Sequence, residues 1–408
     1  MTQTLWVVGG GVETIPGIQR AKAMGLTVVV SDGSASAPAL ASADHSVIMD
    51  TYDAEGTLSA AREFAKRYQR IDGILCIGSD VPFTVAYVAH HLGLPGLSPE
   101  TARLSSNKLD MKQRLQQAGI PLPWYQAINS EAALREVLSS RPGKYVLKPL
   151  DSRGARGVVQ IDANSDLATL YQHSISQSPG GRVMLEEYLD GPQISTEAVL
   201  MDGQGYPVGF TDRNYDKLDY TYPFIIENGG GFPSVVIGDD KTAVENTAIE
   251  AGKALGVETG IVKGDMVLTA EGPKVIEIAT RLSGGWFSTD QIPLGYGIDL
   301  VGVAIDLALG HRVDPARLQP KWQQGVSVRF FFPPPGRLKA IHQAREVAEA
   351  PWLYKQKFYV QPGDHIVVPK NHTERSGFVI TTGETAAIAH ERAETAVAAT
   401  QFDVEGIE

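Results

Sequence analysis

Sulfur, long apolar runs and positive charge are what this 408-residue chain has least of. Its one cysteine, Cys76, excludes an intrachain disulfide. Cys76 lies in the apolar run Gly73-Ile74-Leu75-Cys76-Ile77, where a buried structural thiol is expected rather than a nucleophile. No run approaches the length of a membrane span, and the start MTQTLWVVGGG has neither a basic n-region nor an export cleavage site. A soluble, cytoplasmic protein with no membrane partner is therefore expected. Against 47 Asp plus Glu stand 36 Lys plus Arg, a formal charge of -11, so general attraction to nucleic acid is not expected. Any anionic ligand must be held by locally placed cations. Also missing are HExxH, CxxC and any Ser/His/Asp or Cys/His arrangement, and His90-His91 sits in a helical stretch where a solvated or capping role outweighs metal binding. What is present is a 43% hydrophobic composition, enough for a sizeable core in three or four structural units.

The most informative stretch runs from Lys263 to Gly285, KGDMVLTAEGPKVIEIATRLSGG. Asp265–Thr269 and Lys274–Ile278 are β-rich, and Ala270-Glu271-Gly272-Pro273 between them suits a hairpin connection. Pairing symmetric about Glu271 sets Asp265 opposite Glu277 on one sheet face. Carboxylates about 5 Å apart repel unless a proton or cation lies between them. Magnesium meets that demand with one or two carboxylates, water and phosphate oxygens. The plain alternative is an exposed hairpin end. Arg281 and Ser283-Gly284-Gly285 shift the balance, because they add a cation and an amide-rich loop suited to phosphate.

Upstream, Leu5–Val8, Thr27–Ser31 and Ile71–Ile77 alternate with helical patterns near Ile15–Met24, Thr57–Tyr68 and Pro82–Leu92, the signature of a doubly wound parallel sheet. Gly9-Gly10-Gly11 and Asp32 suggest a dinucleotide fold, but Thr14 stands where the third glycine of GxGxxG belongs. That loop and Gly78-Ser79-Asp80 read equally as substrate contacts or as tight turns. Ser98-Pro99-Glu100 starts a helix running toward Gly119, with Asn107-Lys108 at a break. Tyr145–Lys148 and Val158–Ile161 flank Ser152-Arg153-Gly154-Ala155-Arg156-Gly157, a glycine-rich flap able to cover phosphates. Glu186-Glu187-Tyr188-Leu189 then leads into a turn and a further strand.

Lys108, Lys148, the flap, the Glu186–Leu189 segment and the Asp265/Glu277 pair occur in the order and approximate spacing of the ATP-grasp ligase superfamily, over about residues 1–310. The chain resembles its carboxylate-amine ligases, including L-amino acid ligases and the biotin carboxylase-like and carbamoyl-phosphate synthase-like members. The resemblance implies a mixed α/β and α+β ATP-grasp fold. Its units would be a Rossmann-like domain at 1–108, a lid subdomain at 109–182, a core subdomain at 183–310 and a small β-rich C-terminal domain at 311–408, closed by an Ala-rich helix near Thr385–Thr400. It implies ATP and Mg2+, with Mn2+ able to substitute. Lys108, Lys148 and the flap residues Ser152, Gly154 and Gly157 would meet the phosphates. Glu186, Glu187 and Leu189 would form the adenine-reading hinge. Gln193 stands where a ribose-binding glutamate is usual, and Ala279 where many members have a metal-ligating asparagine. Asp265 and Glu277 match the metal ligands, Lys263 a cation on the transferring phosphate, and Arg281 a contact to the acyl phosphate. Ser283, Gly284, Gly285, Arg329 and Arg375 are the candidate substrate contacts, the arginines for a carboxylate. Small-molecule carboxylate and amine substrates follow, and a homodimer is left open. The expected reaction joins a small acid, an amino acid foremost, to an amine through an acyl phosphate. The alternatives are a carboxylase or formate-using ligase, and a non-catalytic ATP-binding regulator.

Overall fold

The computed structural model of the chain describes residues 2–406. Its first unit is a parallel sheet of β1 (Thr4–Val8), β2 (Thr27–Asp32), β3 (His45–Ile48) and β4 (Gly73–Leu75), in the order β3-β2-β1-β4. All five residues of β1 are buried, as a strand covered by helices on both faces must be. The edge strand β3, HSVI, alternates too briefly to stand out in the sequence. The expected strand at Ile71–Ile77 is shorter, because Ile77 leaves the sheet to bridge Leu282 in the stretch singled out above.

Helices Pro99–Ser106 and Lys108–Gln117 abut at Asn107, whose side chain accepts from the Leu109 and Asp110 amides and starts the second helix. The lid sheet consists of β5 (Tyr125–Ile128), β6 (Tyr145–Pro149), β7 (Val159–Ile161) and β8 (Val183–Glu187), in the order β5-β8-β6-β7. The boundary expected at 108/109 therefore falls inside the first turn of a helix, and the one at 182/183 separates β8 from the sheet it pairs with.

Next come β9 (Gln193–Met201), β10 (Gln204–Asn214), β11 (Gly229–Phe232), β12 (Gly260–Thr269) and β13 (Gly272–Ala279). Past residue 311 follow β14 (Gly325–Phe330), β15 (Gly336–Gln343), β16 (Leu353–Phe358), β17 (His365–Ile366), β18 (Gly377–Gly383) and β19 (Thr400–Glu405). The C-terminal segment is rich in strands, as expected, and it also extends the central sheet. Its β14, β18 and β16 complete one eight-stranded sheet, β13-β12-β9-β10-β11-β14-β18-β16, and only β17-β15-β19 stand apart. Phe378 on β18 is fully buried and stacks on Trp286 at 5.1 Å, fastening the C-terminal strands to the loop after β13.

Phe378→Ala should therefore cost about 3–5 kcal/mol, the usual loss for a buried phenylalanine. Denaturant unfolding should show the whole core transition moving to lower denaturant, with no separate early loss of the C-terminal strands.

Candidate active site

The geometry of the site begins in the hairpin of β12 and β13. Thr269 pairs with Gly272 across the two-residue turn Ala270-Glu271, so an unbroken ladder would set Asp265 opposite Ile276. A bulge between Asp265 and Met266 moves the register by one residue, and Asp265 pairs with Glu277. The opposition expected from the sequence is thus reached through a shorter turn plus a bulge. On the same face, Ser195 of β9 lies opposite Asp265 and Glu197 opposite Lys263; Thr211 of β10 lies opposite Ser195, and Arg213 opposite Gly230 of β11. Val328 of β14 lies opposite Gly230. This face floors a cavity of about 550 Å³ roofed by the lid, a volume suited to a cofactor-sized ligand.

Asp265 is buried. Arg213 Nη1 lies 2.9 Å from its Oδ1, Ser195 Oγ donates to Oδ1 at 3.1 Å, and Lys263 pairs with Oδ2. Burial works against ionisation here, but Arg213 and Lys263 hold the carboxyl well below the usual range. The Glu277 side chain keeps 34% of its exposure, with Lys108 Nζ 3.5 Å away. The same Lys108 Nζ donates to Ser152 O at 2.8 Å, linking hairpin to flap.

Toward the lid, Lys148 pairs with one oxygen of Glu186, and Lys112 lies 2.5 Å from the other. Lys112 also donates to Val275 O at 2.8 Å and is wholly buried. Burial opposes the charge on Glu186, yet the two lysines keep its carboxyl below the ordinary value. This corrects the expected hinge role of the Glu186 side chain: its carboxylate is committed to orienting Lys148. Glu187, Leu189 and Gln193 continue along the cavity wall, facing the apolar side chains of Val146, Val158 and Ile276. Lys112 was not foreseen, although it is four residues from Lys108 on one helix face.

Ser152 and Gly154 line the cavity, but Gly157 does not. At φ +73°, Gly157 packs against Pro149 and Gln177, where a Cβ would come within 2.7 Å of the proline ring, so its role is to close the flap's base. The flap is held on two sides. Arg153 lies 4.4 Å over the Tyr52 ring of the first unit, and Gly154 O accepts from His372 N at 2.9 Å.

On the far side, Arg281 pairs with Asp80, which raises its pKa despite burial, and donates to Leu282 O at 2.8 Å. Ser283, Gly284 and Gly285 line the cavity after it. Glu13, from the loop after β1, faces the same loop; burial pushes its carboxyl up, opposed by Arg375 and the Trp286 and Gly285 amides. Arg375 lies 3.4 Å over the Phe330 ring and donates to His372 O and Glu227 O. Among the described residues it has no ion-paired carboxylate, and burial lowers its pKa. His372 beside it is kept neutral by burial and by Arg375 and Arg213. Arg329 is a second correction. It points from β14 to the opposite face from Val328 and Phe330, bound to Glu394 at 2.6 Å and to His390, and joins β14 to the helix Ala386–Ala398. Cys76 is buried, which pushes its thiol up to about 11 and leaves it unreactive.

Glu186→Gln should destabilise the chain by about 3–5 kcal/mol, because it leaves two lysines without their buried anion. The depressed Glu186 pKa implies stability that is complete above its unfolded value of 4.5 and lost as pH falls below it. Unfolding midpoints against pH should show that acid-side loss in the wild type and a smaller one in the variant.

Three sequence families match the chain in succession: the ATP-grasp N-terminal domain over residues 18–96, the ATP-grasp domain over 105–285, and the L-amino acid ligase C-terminal domain 2 over 329–405. An uncharacterised protein of Sinorhizobium fredii, y4rH, is 25% identical over 338 residues, covering 81% of this chain and 68% of that protein. Carnosine synthase 1 of Gallus gallus is 26% identical over 274 residues, covering 62% of this chain but only 29% of the synthase. The crystal structure of L-amino acid ligase from Bacillus licheniformis superposes with a TM-score of 0.83 at 20% identity, covering 99% of each chain. Among the described residues no helix is long and apolar enough to cross a membrane. With its ATP-grasp domain set between these two flanking domains and its charged cavity under the lid, the chain is built on the ATP-grasp fold and is similar to ATP-dependent ligases.

Proposed function

We propose that this protein joins a small carboxylic acid, an amino acid foremost, to an amine, releasing ADP and phosphate. The observation that carries this reading is Arg375. It is a half-buried, desolvated guanidinium without an ion-paired carboxylate among the described residues, in the cavity that also holds Lys108, Lys148, Lys263 and the opposed Asp265 and Glu277. A desolvated cation without such a partner calls for an anion from the ligand, and guanidinium suits a carboxylate.

The donor set fits magnesium. Among the described residues no three His, Cys, Asp or Glu are grouped to hold a metal, so Asp265 and Glu277 would bind an ion whose other positions fall to phosphate oxygens and water. When bound, the ion would neutralise phosphate charge. The chain's own groups would do the rest. Lys148, fixed by Glu186, and Lys108, tied to the flap, would hold the phosphates, while the flap excludes water from the reacting centre. Arg375 would orient the acid. Its oxygen forms a bond to the γ-phosphorus as the bond to ADP breaks, giving an acyl phosphate. The amine nitrogen then bonds to the acyl carbon as phosphate leaves, and the nitrogen loses a proton. Lys263 and Arg281 would stabilise the charge that develops on the transferring group. No side-chain nucleophile is needed. The relatives named above, a carnosine synthase and an L-amino acid ligase, support an amino acid as the acid or the amine. A cytoplasmic location, where ATP and amino acids meet, and a homodimer complete the reading.

Purified protein given Mg-ATP should release ADP and phosphate when pooled amino acids are added, with a condensation product of matching mass. Stimulation by bicarbonate or formate instead would replace the amino acid, and AMP plus pyrophosphate would overturn the acyl phosphate. Glu277→Ala should lower turnover by roughly 1,000-fold with the unfolding midpoint unchanged, since it removes a half-exposed ligand and no core contact. Arg375→Leu should raise KM for the acid or the amine by about 100-fold, the loss of a charge-assisted contact, with KM for ATP little altered.

A further inference from the structure

Glu197 on β9 faces the cavity floor, is 1% exposed, and forms no ion pair among the described residues, unlike its neighbours in the site. Its carboxyl group lies under the loop that follows Arg281. Ser283 N donates to Oε1 at 3.0 Å, and Ser288 Oγ lies 2.8 Å from both Oε1 and Oε2. Ser288 Oγ also lies 3.1 Å from Ser283 O.

A serine hydroxyl has one proton, so it can donate to only one of these three acceptors. If Glu197 is ionised, Ser288 must choose, and either the carboxylate or Ser283 O confronts an oxygen with no hydrogen between them. If Glu197 carries a proton, three of the four contacts hold a hydrogen and only Ser288 Oγ to Oε1 does not, one fewer than in the ionised state. Ser283 N donates to Oε1, Oε2–H donates to Ser288 Oγ, and Ser288 O–H donates to Ser283 O.

We propose that Glu197 is a positioning residue that works as the neutral acid, a proton-bearing clamp that sets the Arg281–Gly285 loop without placing a negative charge beneath an anionic ligand. The surrounding charges are consistent with this. Lys263, opposite on β12, is matched by Asp265; Gly209, opposite on β10, has no side chain; Arg281 is matched by Asp80; and Asp290, on the same turn as Ser288, is matched by Lys355. Among the described residues no cation is ion-paired with Glu197, and Arg281, committed to Asp80, opposes the effect of burial on it only in part. Burial pushes its carboxyl up to about 7, so the proton is kept in mildly acid solution, where a free carboxyl has lost it, and leaves across the neutral range.

The anionic ligand is taken from the ligase reading, but the clamp has a test that needs no ligand. In Glu197→Gln the amide can donate to Ser288 and the carbonyl can accept from Ser283 at every pH. A carboxyl whose folded pKa is raised contributes stability that is complete below its unfolded value of 4.5 and is lost as pH rises through about 7. The wild-type unfolding midpoint should therefore fall relative to the Gln variant over that window; a constant difference would overturn the proposal. In ADP release with the amino acid pool, the Gln variant should stay active, and the variant-to-wild-type ratio should climb several-fold between about pH 7 and 8 as the wild type ionises. Glu197→Leu should lose roughly tenfold or more at every pH. A Gln variant as impaired as the Leu variant, or a ratio flat with pH, would show that the charge and not the proton is what the loop requires.

Discussion

Buried charge must be matched, and that requirement shapes the whole site. Desolvated ions are costly unless each finds a partner, and in this cavity almost every one does. Glu186 lies between Lys112 and Lys148, Asp265 between Arg213 and Lys263, and Arg281 is set against Asp80. These pairs draw residues from the first unit, the lid and the core sheet to one place, so each unit's position is fixed partly by the charges of another. Arg375 has no such partner among the described residues, and the proposed function assigns a ligand's charge to it.

The sheet supplies the precision that matching needs. One bulge decides whether Asp265 faces Glu277 or Ile276, and strand alternation then decides that Val328 and Phe330 look into the cavity while Arg329 looks out. The lid adds a second wall, where Lys148 is aimed by the buried Glu186 rather than by solvent. Rigidity here is electrostatic as much as apolar.

Much of this was legible in the sequence. The alternating strands and helices of the first unit, the lysines 108 and 148, and the hairpin acids all announce themselves through local pattern, because periodicity and turn chemistry are local properties. Glu186 and Arg329 misled because their type suits a ligand, whereas their role depends on partners far along the chain, Lys112 and Glu394. Glu13 and His372 carry no signal of their own for the same reason, and the pairings of Asp80 with Arg281 and of Arg213 with Asp265 are equally invisible in the sequence. Each becomes meaningful only when the sheet folds it beside residues dozens to hundreds of positions away. That β14, β18 and β16 of the C-terminal segment extend the central sheet is not legible, because nothing in its sequence tells which sheet its strands will join.

The short turn from Asn371 to Arg375 has a consequence that reaches across the cavity. Its backbone grips the flap at Gly154, while its last side chain is the Arg375 guanidinium, without an ion-paired carboxylate among the described residues. A flap that lifts must release that grip, and the segment it tugs is the one presenting Arg375. On the proposed function, nucleotide exchange and hold on the organic acid would be joined by a single peptide lever, giving the two halves of the reaction a common clock.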